Sequence, residues 1–392
     1  EGSAKAALRW WLGGTVSVSR SVSRGFDDEW VVKKLNDVSN INPKTGDLPE
    51  NFIYIDIDSV GKGSNLVKLD NTLLGKDLPS RARRIVERDS IVISTVRPYL
   101  KGFLYIDFEP KQMVFSTGFA ILKSLDTQVL NNKFIFELFF NSDVVMFQIQ
   151  NAMPKSSYPS INSEDIKNFK IPLPPIDIQQ KIIDECQLID DEVNQARQAV
   201  DQANQQINQL FANSLNNTST AKRLSNNEDF EIGIGKRVLA SQIEEQAKDG
   251  YLPVYSANVF DIFGYISDSL IDNFELPSVL WGIDGDWMTN YLPKNYKFYP
   301  TDHCGYIRTK TNEINPKFLT WLLYQAGQRE RFSRSHRASI ERIKNLTLSF
   351  PSIDIQNVVA EQVIVFENQI KDLQNVINEA HDKKRVIIES YL

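Results

Sequence analysis

Several loops of this chain gather side chains suited to anions and to base edges. The stretch "RERFSRSHRAS" supplies Arg329, Arg331, Arg334, His336 and Arg337, and "NAMPKSSYPS" supplies Lys155, Ser156, Ser157 and Tyr158. Arg81, Arg83, Arg84 and Arg88 cluster ahead of an apolar run, and Arg97 follows that run at "STVRP". A guanidinium fork pairs bidentately with phosphate or with guanine, whereas lysine and hydroxyl groups contact the same atoms less exclusively. A solvated surface is the plainer reading, and it is expected to hold for at least two of the five arginines between 81 and 97. Asp284 and Asp286 in "GIDGDW" could form a carboxylate pair for proton transfer or accept from a cytosine amino group. Flanked by Gly282 and Gly285, they read first as a turn. Three histidines and two cysteines never fall at metal-ligand spacing. There is no Asn/Asp-Pro-Pro-Tyr adenine-methylation motif, no GxxxxGK[ST] loop and no glycine-rich cofactor loop. The chemistry expected is binding rather than catalysis, with no metal or cofactor held by this chain.

The overall charge of −6 at first opposes a nucleic-acid partner. Its distribution removes the objection. Residues 177–215 hold seven acids and two bases, and residues 353–392 hold seven acids and four bases, which leaves the rest of the chain at +2. That modest value predicts weak binding to DNA alone, because counterion release needs many cationic contacts. Cys186 and Cys304 stand far apart, which argues against a disulfide framework and fits a reducing cytosol. No apolar run is long enough to span a bilayer. Residues 1–26, with Trp10-Trp11 and a Ser/Val/Arg alternation, read as a leader or an appended segment, or else as a basic arm touching nucleic acid.

Binding loops need frames, and the chain writes its frame twice. "PPIDIQQKIIDE" begins at Pro174 and "PSIDIQNVVAEQ" at Pro351, 177 residues later. After the first, apolar or small residues fall at Ile182, Cys186, Ile189, Val193, Ala196, Val200, Ala203, Ile207 and Leu210. After the second they fall at Val359, Val363, Phe366, Ile370, Leu373, Ile377 and Ala380, then at Lys384, Ile387 and Tyr391. Alternating steps of four and three predict two coiled-coil helices of about 35–40 residues, roughly 55 Å each. Prolines just upstream mark their starts. Asp190, Glu192 and Glu367 are expected on outer faces, open to a partner.

The repeat extends upstream. "EDIKNFKIPLP" matches "ERIKNLTLSFP", "NKFIFELFF" matches "PKFLTWLLY", and "DSIVISTVRP" matches "PSVLWGIDGD". "DEWVVKKLNDV" and "EDFEIGIGKRV" read as the openings of the two halves, with a polar boundary from Asn216. The expected fold is α+β: two globular domains of short strands, loops and few helices, separated by two long antiparallel coiled-coil helices with a pseudo-twofold internal repeat. Helix one must end at the second domain and helix two must run back, so the domains are expected at opposite ends of the pair. The boundaries are 27–170 for domain one, 171–221 for the central helix, 222–347 for domain two and 348–392 for the last helix.

"LPSRARRIVERDSIVISTVRPYLKG", "FSTGFAILK" and "YPSINSEDIKNFKIPLPPIDIQQKII" resemble the specificity subunit of Type I restriction–modification systems. So do "SVLWGIDGDW", "FYPTDHCGYIR" and "SIERIKNLTLSFPSIDIQ", and the resemblance covers about residues 27–392. It implies two target-recognition domains, each reading half of a bipartite duplex sequence, with the helices setting the spacer between the halves. It implies docking of two adenine methyltransferase subunits and of endonuclease–translocase subunits. S-adenosylmethionine, ATP and magnesium are then expected on those partners, in a prokaryotic cytoplasm. Candidate DNA contacts are Arg81, Arg83, Arg84, Arg97, Lys155, Ser156, Ser157, Tyr158, Arg331, Arg334, His336 and Arg337. The alternative is a coiled-coil scaffold whose end domains bind proteins without reading DNA.

Overall fold

The computed structural model describes residues 30–43, 48, 52–69, 79–154, 159–215 and 219–391. The 1–26 segment and four candidate contacts, Lys155, Ser156, Ser157 and Tyr158, lie outside the described residues. The chain divides into two compact units. The first gathers the residues before 198 with those from Asn375 onward, and the second is Gln198–Gln374.

Each unit is α+β and follows one plan. In the first, an antiparallel sheet runs in the order Ser39–Ile41, Phe119–Ser124, Ile91–Ser94, Phe103–Tyr105. In the second the order is Phe230–Ile234, Cys304–Thr309, Ser278–Gly282, Thr289–Leu292. Ile91–Ser94 and Ser278–Gly282 are buried along their whole length, which explains why these strands read as unbroken apolar runs rather than alternating ones. The first sheet packs against the helix Asn132–Asn141, where Phe103 and Phe139 meet edge to face at 6.2 Å. The second packs against Pro316–Arg329, and Trp287 closes over Phe332 at 5.1 Å.

A two-stranded ribbon ties each unit's entry to the strand that leads into its long helix. Val31–Lys34 pairs antiparallel with Lys170–Leu173, and Thr220–Arg223 with Thr347–Phe350. This corrects the pairing of segments expected from the sequence. "EDFEIGIGKRV" holds a strand of the main sheet, the counterpart of Ser39–Ile41 and not of Val31–Lys34. The true counterpart, Thr220–Arg223, lies inside the polar stretch taken for a boundary. Its side chains are mostly exposed, and its pairing rests on main-chain bonds that hydropathy does not reveal. The outer sheets also differ between the units. Both contain a parallel pair, Ile53–Ile55 with Met113–Ser116 and Leu252–Tyr255 with Tyr299–Pro300. The third strand joins Met113–Ser116 in one unit and Leu252–Tyr255 in the other.

The long helices are Ile176–Ser214 and Ile353–Tyr391. The doubled "IDIQ" has a structural purpose at their starts. Gln179, fully buried, donates to the carbonyls of Val129 and Pro174 and accepts from the Asn131 amide at 2.8–2.9 Å. Gln356 makes the same three bonds, to Glu313, Pro351 and Asn315, at 2.8–2.9 Å. Asn131 and Asn315 in turn cap the helices they precede by accepting from the Lys133 and Lys317 amides. Each glutamine thereby clamps a long helix to the cap of a neighbouring helix in its own unit.

Within each unit the long helices pair antiparallel. In the first, Glu185 accepts from the Tyr391 hydroxyl at 2.6 Å, and Asp190 meets Lys384 at 2.7 Å. In the second, Ile207 and Phe211 share a core with Val363 and Val359. The predicted seam holds at Ile182, Cys186, Val193, Ala196 and Ala203, all buried. Near the C-terminal ends it shifts by one residue, so that Phe211 and Ile388 are fully buried while Leu210 and Ile387 only pack at the edge. There the helix packs into a globular core as well as against its partner, and that core selects the face. Phe211 lies flat on Trp321 with ring centroids 4.0 Å apart. Of the acidic outer positions, Glu192 and Glu367 are exposed and Asp190 is half-buried; Asp190 is paired with Lys384 and Glu367 with Lys317. Both cysteines are free and buried.

Candidate nucleic-acid interface

The loops that carry the candidate residues hang from one main-chain frame, built twice. In the first unit Thr95, just past the buried strand, donates its amide to the Gly118 carbonyl at 2.9 Å and accepts from the Ile161 amide at 2.9 Å. In the second unit Ile283 donates to His303 at 3.0 Å and accepts from Ala338 at 2.9 Å. One residue at a strand end therefore joins three loops in each unit, and the side chains on those loops are unlike.

In the first unit the frame brings Arg97 and Arg81 toward the Thr117–Gly118 turn. Arg97 is exposed and left-handed (φ 47°), and its amide donates to the Pro159 carbonyl at 2.9 Å. Arg81 is exposed, and its carbonyl accepts from the Thr117 amide at 2.8 Å. Arg83 bends back to the Ser80 carbonyl at 3.0 Å. Arg84 is half-buried on the bulged strand Ala82–Ile85, its Nε is sealed from solvent, and burial lowers its pKa. Of the first unit's described candidates, Arg97 and Arg81 have the placement of contact residues, and Arg84 that of a packing residue.

In the second unit Ser333 and His336 exchange main-chain bonds of 3.0 and 3.1 Å, forming a tight turn that holds Arg334 exposed at its tip. His336 stacks on Phe332 at 5.7 Å, and exposed Arg331 is left-handed (φ 58°) at the base of the loop. Arg337 donates to Asp284 Oδ2 at 3.0 Å, and His303 Nδ1 lies 2.9 Å from the same carboxylate. Asp284 is thus a bracket between a cation and an imidazole and does not pair with Asp286. The turn reading of "GIDGDW" fits the geometry: Gly285 has φ 101°, and a Cβ on Gly282 would fall 2.3 Å from the Ala257 carbonyl.

His303 was not among the residues picked from the sequence. Its signal lay in setting "STGFA" against "TDHCG" at an offset of 185, which places His303 where the first unit has Gly118. Among the described residues no group of three or more His, Cys, Asp or Glu could hold a metal ion, and no helix is long and apolar enough to cross a membrane.

A duplicated α+β binding domain on long antiparallel helices is the class that this fold and these loops define. The family model for the Type I restriction modification DNA specificity domain matches residues 27–200 and again 221–380. The chain belongs to that family. It is 26% identical over 178 residues to the HindI specificity subunit of Haemophilus influenzae, a match spanning 45% of this chain and 34% of that protein. It is 29% identical over 153 residues to the MpnII specificity subunit of Mycoplasma pneumoniae, covering 36% of this chain and 43% of that one. The matched stretches therefore span less than half of each of these two relatives. The fold is similar to the crystal structure of a Type I restriction–modification S subunit from M. genitalium, with a TM-score of 0.52 and 12% identity over 96% of this chain and 98% of that one.

Proposed function

We propose that this chain is the sequence-reading subunit of a Type I restriction–modification complex, and that each unit reads one half of a bipartite duplex target. The observation that carries this is the repeated main-chain frame around Thr95 and Ile283 bearing different side chains. Two readers of different half-sites need one scaffold and two vocabularies; a scaffold that only binds proteins has no use for cationic loops at matched places. Arg81, Arg97, Arg331, Arg334 and Arg337 are the proposed contacts, joined by His303 and His336. Lys155, Ser156, Ser157 and Tyr158 belong to the same reader as Arg97 by their place in the chain.

The chain itself is proposed to be non-catalytic and cytoplasmic. Adenine methyltransferase subunits dock on the long helices, which set the spacer, and endonuclease–translocase subunits join that assembly. S-adenosylmethionine, ATP and magnesium reside on those partners.

The test is selection of binding sites from randomised duplexes. Arg334→Ala with Arg337→Ala should relax one half-site and leave the other, at about 1–3 kcal/mol for each base pair no longer read. Equal relaxation at both halves contradicts the assignment of one reader to each unit.

A further inference from the structure

The strand-end loop of the first unit is strained. A single helical turn, Pro98–Leu100, is bracketed by two non-glycine residues in the left-handed region, Arg97 at φ 47° and Lys101 at φ 53°. Such residues persist where surrounding structure holds them. Arg97 is held by the Pro159 carbonyl through its amide. Lys101 is held from elsewhere: its ammonium lies 2.6 Å from Nε2 of His381, on the second long helix.

The contact starts a chain of bonds whose direction is fixed at every member. Lysine can only donate, so Nε2 of His381 accepts and Nδ1 carries the proton. Nδ1 donates to Asn141 Oδ1 at 2.7 Å, and Asn141 Nδ2 donates to Glu137 Oε2 at 2.7 Å. Glu137 Oε1 meets Lys384 at 3.3 Å, and Lys384 reaches Asp190 at 2.7 Å. The chain thus runs from the Arg97 loop to both long helices.

We propose that His381 is a positioning residue for the first unit's reading loop, so that a helix belonging to the second repeat completes the reader of the first half-site. This rests on the proposed DNA reading by Arg97. His381 must be neutral to accept from Lys101. It is faced by Lys101 from the loop, by Asp143 from the neighbouring helix, and by Asp382 and Arg385 from its own helix. Burial and the Lys101 charge hold its pKa below the ordinary value. A depressed folded-state value means that the contact's contribution is complete above about pH 6.5 and is lost as pH falls through the folded value.

The experiment selects binding sites from a randomised duplex library with the full chain, its His381→Leu, His381→Gln, Lys101→Met and Arg97→Ala variants, at neutral pH and below the histidine's folded value. His381→Leu and Lys101→Met should each lower discrimination by about tenfold at the half-site that Arg97→Ala relaxes, and nowhere else. His381→Gln should restore it, since an amide accepts from Lys101 and donates to Asn141, and should remove the acid sensitivity. If Arg97→Ala relaxes neither half, the underlying DNA reading fails at this loop. If Arg97→Ala relaxes one half while Lys101→Met leaves it sharp, the positioning role is overturned with the reading intact. Equal relaxation of both halves by His381→Leu, or failure of His381→Gln to restore, reduces His381 to general packing and also overturns it.

Discussion

Replacing Lys384 with methionine is expected to weaken the first unit by about 3–5 kcal/mol, the range for leaving one partner of a buried ion pair alone. Glu137 is wholly buried and Lys384 is 8% exposed, so water cannot take over the lost contact. Burial pushes the Glu137 carboxyl above the usual carboxylate range, and Lys384 pulls against that shift. Burial likewise lowers the Lys384 ammonium, but Glu137 and Asp190 outweigh it and its pKa stands above the usual lysine value. The double variant Glu137→Leu with Lys384→Met should recover only part of the loss, because the apolar pair leaves no buried charge unmet but strands Asn141 Nδ2, which donates to Glu137 in the native chain. The loss in Lys384→Met should also shrink in acid, since protonating Glu137 removes the lone charge. A urea titration read by hydrogen exchange along Asn132–Asn141 would check both. A single variant as stable as the native chain would show that Glu137 finds another partner.

The second large effect is expected at the glutamine clamps. Gln356→Leu keeps the side-chain volume but strands the Asn315 amide and two carbonyls, at a cost of about 3 kcal/mol to the second unit. Gln179→Leu should do the same to the first unit. Gln356→Glu should fare no better than leucine, because a carboxylate keeps the one acceptor role, loses both donor roles and buries a charge. Chemical denaturation of the three variants provides the measurement. A loss under about 1 kcal/mol for Gln356→Leu would mean that water or a neighbour satisfies those groups, and that the repeated "IDIQ" has another cause.

What the sequence made legible was whatever repeats or has a period. The 4–3 steps located both helices within a few residues, and the offset of 177 marked the repeated phrase that holds Gln179 and Gln356 without revealing what those glutamines do. What stayed hidden depends on contacts between distant segments. Lys384 breaks an apolar seam, and only the fold shows that Glu137 waits beneath it. Phe211 and Ile388 replace Leu210 and Ile387 because a globular core outweighs the helix–helix rhythm where the helix meets it. Thr220–Arg223 is invisible to hydropathy because its register is written in amides and carbonyls. At the candidate interface the arginine clusters were legible by composition, but their sorting was not. Arg84 turns inward while Arg97 turns out, and Asp284 proves to be the partner of Arg337 and His303.

The bonds that suspend the candidate contact loops from Thr95 and Ile283 join amide to carbonyl, and so are indifferent to which side chains those loops carry. Mutation in such a loop is filtered by what it binds far more than by whether the protein stands. Under the proposed reading of DNA, a lineage carrying this chain can drift toward a new target word at one half while the other half, the helices and their clamps stay as inherited. Side-chain brackets such as Asp284 with Arg337 are the part of that vocabulary which must change in concert.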